Sequence, residues 1–156
     1  MNKDQLRVEL AEDEGCKKEI YLDHLHLPTF GIGHLIREDD PEFGKPIGTP
    51  VSDERVRQAF ALDVAVAIED CRRLYDDFDD LPEEAQLIIA NMAFNLGYGR
   101  LSKFKRMHAA VSAREWHKAA EEMVDSLWYQ QVPRRAERLV NRMKEVCDGK
   151  QGQNQA

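Results

Sequence analysis

The stretch that decides the fold runs Glu14-Gly15-Cys16-Lys17-Lys18-Glu19-Ile20-Tyr21-Leu22-Asp23-His24-Leu25-His26-Leu27-Pro28-Thr29-Phe30-Gly31-Ile32-Gly33-His34-Leu35. Glu19 to Leu22 alternates like a strand, Asp23 to Pro28 has the composition of a turn, and Thr29 to His34 reads as the returning strand. It is the one convincing β signal in the chain. Immediately upstream, Leu6, Leu10 and Ala11 recur at helical spacing and predict a short helix over 3–14, with Gly15 as its C-terminal stop. A helix end therefore opens directly into a hairpin.

Outward from there the pattern turns helical. Pro41, Gly44, Pro46, Gly48 and Pro50 make 37–51 a loop between lobes. Ser52 is a suitable N-cap, and Asp53 and Glu54 suit the positive end of a helix. Val56, Phe60, Val64, Ile68 and Cys71 then recur every three or four residues, predicting a helix of roughly 20 residues, long enough to join two lobes. The acidic turn Asp76 to Pro82 ends it; it lacks the ligand spacing of a calcium loop. Residues 83–96, with Leu87, Ile88, Ile89, Met92, Ala93 and Phe94, are apolar on most sides and predict a buried central helix. Gly97-Tyr98-Gly99 breaks it. Two short amphipathic helices follow over 103–111 and 115–124, and a last one over 134–147. Residues 148–156 read as a frayed polar tail.

The expected fold class is α+β, mainly α. A small β-hairpin lobe (about 12–60) and a helical lobe (about 75–147 plus the N-terminal helix) are joined by the long helix within one domain. The cleft between two such lobes is the default place for a ligand.

Composition bounds the function. The chain has 156 residues, 42% apolar and 33% charged, with a mean hydropathy of −0.60, which is the balance of a globular domain with an ordinary core. No apolar run approaches the roughly 18 residues of a membrane span. The opening residues Met1 to Gln5 lack the apolar run of a secretion signal, so synthesis in a cytoplasm is expected. Cys16, Cys71 and Cys147 are odd in number and far apart, and are expected to be buried free thiols. The net charge of −7 is uneven: residues 1–80 hold 20 acidic and 10 basic side chains, residues 81–156 hold 9 and 12. An acidic whole argues against nucleic-acid binding, while the basic C-terminal half suits an anionic ligand and salt-sensitive binding.

Glu14, Asp23 and Thr29 are the candidates for chemistry. Glu14 ends the first helix, where the negative end of the dipole disfavours a carboxylate and favours the protonated acid that a general acid must be. Asp23 lies in a solvated turn, where a carboxylate stays ionised. Two carboxyl groups in opposed environments are the pattern of glycoside hydrolysis. The hairpin can bring the Thr29 hydroxyl back beside Asp23, where the two can hold a water.

The spacing Glu14, Asp23, Thr29 resembles the catalytic triad of the phage-type lysozymes, or endolysins. Asp13-Glu14-Gly15 and Thr29-Phe30-Gly31-Ile32-Gly33-His34-Leu35 resemble the motifs that flank it. Phe60, Asp63 and Val64 fall where that family's long helix carries its Asp. Asn91 to Gly97 resembles its central helix, and Trp116 to Ala120 and Trp128 to Ala136 resemble its C-terminal blocks. The resemblance extends from residue 6 to about 146.

The resemblance implies that Glu14 donates a proton to the glycosidic oxygen, that Asp23 activates the attacking water, and that Thr29 helps to hold it. It implies inversion at the reacting carbon, which needs the carboxyl groups roughly 6.5–9.5 Å apart. Leu35 and Phe94 would line the sugar cleft, and Gln131 and Arg135 would close it. Arg135 falls at the border of the last helix's apolar face, from which it can reach over the core edge; the resemblance has it face Glu14. Met107 and Glu122 depart from the small polar residues of a better-known member. His34 is expected to pair with Asp63, and Trp116 and Trp128 to anchor the helical core.

The resemblance thus implies an enzyme that cuts the β-1,4 bond between N-acetylmuramic acid and N-acetylglucosamine in peptidoglycan, for host lysis. It implies no cofactor or metal, a monomer, no nucleic acid and no stable membrane insertion. A holin would admit the enzyme from the host cytoplasm to the periplasm. One rival is a non-catalytic lysozyme-like wall-binding or virion module. Another is a metal-dependent amidase using His24 and His26, for which a third ligand at proper spacing is missing.

Overall fold

A computed structural model describes residues 1–147. The chain opens with α1 (Lys3–Glu14), followed by β1 (Lys17–Leu22), β2 (Pro28–Gly31) and β3 (His34–Leu35). Helix α2 (Asp53–Leu74) and a 3₁₀ turn at Phe78–Asp80 lead to α3 (Glu83–Leu96), α4 (Tyr98–Leu101) and α5 (Lys105–Ser112). Helices α6 (Trp116–Val124), α7 (Leu127–Gln131) and α8 (Pro133–Lys144) complete the described part. The fold is mainly helical α+β, as expected. Among the described residues no helix is long and apolar enough to cross a membrane.

The chain divides into two compact units, Lys3–Val66 and the chain from Ala67 onward with Met1–Asn2, so the boundary falls inside α2. Helix α1, grouped with the helical lobe on sequence, belongs here to the same unit as the sheet.

In the sheet unit, α1 stops where the sequence stops it. Gly15 takes φ +70°, and its N–H bonds Ala11 O at 2.9 Å; glycine alone enters that left-handed region without strain. The sheet is antiparallel in the order β1-β2-β3. Tyr21 stands opposite Thr29 and Leu22 opposite Pro28, with an irregularity between Lys17 and Tyr21; Thr29 stands opposite Leu35 and Phe30 opposite His34. The single hairpin of the sequence reading is therefore corrected to three strands. Gly31 and Gly33 both take positive φ and turn the chain where the alternation alone suggested one continuous strand.

The 37–51 loop returns along the free edge of β1. Ile20 N–H bonds Thr49 O, Gly48 N–H bonds Ile20 O, and Val51 N–H bonds Lys18 O, so the edge is not left open for another strand. Ile20, Phe30, Val51, Val56 and Ala59 form a small buried cluster, with Ile32 and Ile36 packed against it. Ser52 caps α2, its Oγ accepting from Arg55 N at 3.1 Å.

The helical unit is built around α3. Its residues Ala85 through Ala93 are all buried, Gln86 and Asn91 among them, as a helix apolar on most sides predicts. Gly97 ends it at φ +78°, but Tyr98 and Gly99 start α4 instead of extending the break. Pro133 opens α8, where its missing N–H costs nothing. Trp116 and Trp128 are buried in this unit, as expected, and the Trp128 indole donates to Asn95 Oδ1 at 2.8 Å.

The expectation of three buried thiols holds only for Cys71; Cys16 and Cys147 are exposed. Both lie just outside regular elements, in the α1–β1 link and beyond α8, where no packed face covers them. Burial, the largest influence on Cys71, keeps its thiol protonated. The segment 148–156, read as frayed from sequence, lies outside the described residues.

Candidate active site

The sheet unit gathers Glu14, Asp23, Thr29 and Leu35. The hairpin tip is closed by Asp23 itself. Its N–H bonds Leu27 O at 3.0 Å and its carbonyl accepts from His26 N at 2.9 Å. Its Oδ1 accepts from Leu25 N at 2.8 Å and Leu27 N at 2.9 Å. A short acceptor side chain closing its own turn is what Asp does well. His26 pays for the tight tip with φ +61°. The result fixes the carboxylate by one oxygen and leaves Oδ2 without a bond from the described residues.

Thr29 follows on β2 and is 3% exposed. Its hydroxyl donates to Leu27 O at 2.9 Å. The proton is spent, so toward any further group the Thr29 oxygen acts as an acceptor. Cross-strand partners share a face, so Tyr21, Thr29 and Leu35 form one row across the three strands. Ile20 and Phe30, one residue along, point to the buried cluster instead.

Glu14 is located by a glycine. A Cβ built at Gly33 would lie 2.8 Å from the Glu14 carboxyl carbon and from Oε1, closer than any side chain tolerates. The carboxyl group thus rests on the Gly33 backbone, two residues before Leu35. Gly33 also has φ +65°, so the backbone favours glycine there, and a side chain would have to displace the Glu14 carboxyl group. Tyr21 lies within reach of both carboxyl groups. Burial first, then the charges of Glu14 and Asp23, push its phenol up from the ordinary tyrosine value, and it remains a neutral O–H.

His34 is not a base of this site. It is 6% exposed, with Nδ1 2.7 Å from Asp63 Oδ2 and Nε2 2.9 Å from Asp40 Oδ2. The Asp63 pair was expected; Asp40 was not, because it lies in a stretch that reads as linker. Burial opposes the charge on His34, but the two carboxylates outweigh it and raise its pKa. Arg55 extends the network, gripping Glu42 through Nε at 2.9 Å and Nη2 at 3.0 Å, and Asp40 through Nη2 at 3.0 Å. Burial also opposes charge on Asp40, yet Arg37 N–H, His34 and Arg55 hold its carboxyl below the usual range.

The remaining candidates belong to the helical unit. Phe94 is half-buried on α3. Gln131 ends α7 and accepts from Arg100 Nη2 at 3.0 Å. Arg135 is buried on α8 and its Nε donates to Asn91 Oδ1 at 2.8 Å, so part of its guanidinium is engaged by the central helix. Met107 is buried and Glu122 half-buried. His24 and His26 are exposed, and among the described residues no group of three or more His, Cys, Asp or Glu side chains stands ready to hold a metal.

Sequence reasoning missed Tyr21 and the role of Gly33. The signal for Tyr21 was present: it lies near the end of β1, two residues before Asp23, which follows the strand directly. Gly33 could be placed on a turn, but only coordinates reveal which side chain fills the space of its missing Cβ.

A mainly helical α+β fold, with a helix-end glutamate, a hairpin aspartate and a threonine in its sheet unit, is of the lysozyme-like class. The sequence model of the phage lysozyme family matches residues 11–145. The chain belongs to the phage lysozyme family, a family of enzymes. It is 30% identical over 155 residues to a probable T4-type lysozyme of Dictyostelium discoideum, covering 87% of this chain and 91% of that protein. It is 31% identical over 148 residues to the pre-baseplate central spike protein of Enterobacteria phage T4, covering 83% of this chain but 26% of the spike protein. It is 32% identical over 137 residues to a peptidoglycan hydrolase of Pseudomonas phage phiKMV, covering 88% of this chain and 15% of that protein. The chain thus spans most of one relative and a small part of two others.

Proposed function

We propose that this chain is a muramidase that hydrolyses the β-1,4 bond between N-acetylmuramic acid and N-acetylglucosamine in bacterial peptidoglycan, with inversion, as the agent of host cell lysis. The observation that carries the reading is the pair of acceptors at Asp23 and Thr29. Asp23 Oδ1 is saturated by two backbone N–H groups, and the Thr29 proton is committed to Leu27 O. A water between Asp23 Oδ2 and Thr29 Oγ1 donates both its protons and keeps its lone pairs for attack. Asp23 takes a proton as the water adds, while Glu14 gives one to the departing oxygen. Leu35 beside Thr29, with Phe94, Gln131 and Arg135, would contact the glycan. No cofactor enters this scheme.

In this reading the protein is a monomer that neither binds nucleic acid nor inserts stably in a membrane. It accumulates in the host cytoplasm and reaches the periplasmic face of the wall once a holin opens the inner membrane. A second reading, a wall-binding or virion module without turnover, draws support from the similarity to the spike protein, of which this chain spans 26%.

Digestion of purified Gram-negative peptidoglycan tests both. Mass spectrometry should find fragments ending in reducing N-acetylmuramic acid, and NMR should find the α-anomer first. Glu14→Gln should lower the rate at least about a hundredfold, since general acid catalysis contributes roughly 10²–10⁴-fold. Its melting temperature should stay level or rise, because the carboxyl group occupies a helix C-terminus. Fragments cut at an amide, or an active Glu14→Gln, overturn the muramidase reading; wall binding without fragments selects the second.

A further inference from the structure

We propose that Tyr21 contacts the substrate, its phenol donating a hydrogen bond to a hydroxyl or acetamido oxygen of the glycan held between Glu14 and Asp23. The inference rests on the muramidase reading and adds to it a residue for recognition of the sugar.

Four observations converge on this side chain. Tyr21 heads the cross-strand row that continues through Thr29 to Leu35, so its ring shares the face of the sheet that carries the attacking-water site. It is half-buried, and its hydroxyl makes no hydrogen bond with any of the described residues, whereas the Thr29 hydroxyl has committed its proton to Leu27 O and can only accept. The Lys17 ammonium stands 4.4 Å from the ring centroid and holds the ring from one side. Burial and the two neighbouring carboxyl groups keep the phenol protonated.

A tyrosine placed only for packing is replaceable by phenylalanine, and here the fold gains nothing from the hydroxyl. The hydroxyl is left without a partner among the described residues, on the face of the sheet that carries Thr29, available to a ligand. Asp23 Oδ2 and Thr29 Oγ1 are acceptors, which suits a donating water but offers nothing to an oxygen that can only accept, such as an acetamido carbonyl. Tyr21 supplies the missing polarity: a neutral donor that neither competes for the transferred proton nor adds charge. The recognised group is then a neutral acceptor oxygen, a hydroxyl or acetamido oxygen, and not the lactyl carboxylate of N-acetylmuramic acid.

Two measurements on the full chain test this. The first is turnover of purified peptidoglycan by Tyr21→Phe. KM should rise roughly tenfold, the loss of one hydrogen bond, with kcat within about twofold, because the contact exists in the bound ground state. Melting temperature and the pH profile of kcat should match the parent. The second is titration of a soluble N-acetylglucosamine–N-acetylmuramic acid tetrasaccharide into Glu14→Gln and into the Glu14→Gln, Tyr21→Phe double variant. The double variant should bind roughly tenfold more weakly. Equal affinity in the two titrations overturns the proposal, as does a fall in melting temperature that accompanies the loss of turnover. A shifted kcat profile also overturns it, since Tyr21 would then act through the acids. A parent that binds the tetrasaccharide without cleaving peptidoglycan removes the muramidase reading, and weaker binding by the double variant still supports the contact.

Discussion

The two units of this chain are stabilised differently. The sheet unit has a five-residue apolar cluster and leans on a network of charges: His34 between Asp63 and Asp40, and Arg55 between Asp40 and Glu42. The helical unit has the larger apolar core around α3. Several of its interior polar contacts end on neutral acceptors: Trp128 on Asn95, Arg135 on Asn91, Gln86 on Leu81 O, and His108 on Leu101 O; its ion pairs, such as Arg114 with Asp77 and Arg142 with Glu84, lie nearer the surface. A short sheet cannot bury enough surface to fix itself, so the unit that carries Glu14, Asp23 and Thr29 is locked by directional bonds instead. Such bonds set geometry well but tie the unit to pH, whereas packing does not.

The sharpest way to break this contrast is at Phe30, where core and network meet. Phe30 is fully buried; its ring centroid lies 4.8 Å from that of His34, and the Arg55 guanidinium stands 5.4 Å from it. Phe30→Ala should cost about 3–5 kcal/mol, read by urea unfolding. Hydrogen exchange should place the lost protection in residues 3–66 before the helical unit. Uniform loss across both units would mean that they unfold as one body and that the distinction is only descriptive.

Removing a charge without removing packing gives a smaller, conditional effect. The folded pKa of His34 is raised, so its contribution is complete below the unfolded value of roughly 6.5 and is lost as pH rises through the folded value. Asp63→Asn should therefore cost about 1–2 kcal/mol near pH 5.5 and much less near pH 9. Asp40 keeps one bond to His34 in this variant, which limits the loss. Equal costs at the two pH values would show that Asp63 acts by shape and not by charge.

These two sites also mark how far the sequence was legible. The helix over 3–14, its Gly15 stop and the buried α3 follow from periodicity and turn chemistry, because each depends on neighbours within a few residues, whereas the Glu14, Asp23, Thr29 set is singled out by its resemblance to the family's motif. The His34–Asp63 pair was anticipated from the place of both residues in the family's pattern. What stayed hidden depends on the return of the chain. Asp40 became a second partner of His34 only because the Pro- and Gly-rich loop folds back. Glu42 and Arg55, 13 residues apart, met for the same reason. The third strand was lost to the left-handed Gly31 and Gly33, which periodicity reads as ordinary strand positions. Gly33 also proved to be the seat of the Glu14 carboxyl, a contact between residues 19 apart.

The smallest predicted effect, and the one that tests the helical side, concerns His108. Tyr75 is 3% exposed and its hydroxyl bonds His108 Nδ1, while His108 Nε2 lies 2.8 Å from Leu101 O. A carbonyl can only accept, so Nε2 carries the proton and Nδ1 accepts from the phenol. The ring is thus satisfied in its neutral form, and burial, its largest influence, lowers its pKa. The sign is opposite to that of His34. The contribution is present above the unfolded value of roughly 6.5 and is lost as pH falls through the folded value, because the unfolded chain binds the proton first. Tyr75→Phe leaves Nδ1 without its donor and should cost about 1 kcal/mol at pH 7.5. His108→Gln keeps a side-chain N–H for Leu101 O but cannot titrate. Urea unfolding from pH 4.5 to 9 should then show a flatter acid limb for His108→Gln than for the parent, with the alkaline fall due to His34 unchanged. An acid limb identical in the two proteins would mean that His108 is protonated as readily in the fold as in the open chain. The Tyr75–His108–Leu101 chain would then not hold its imidazole in neutral form.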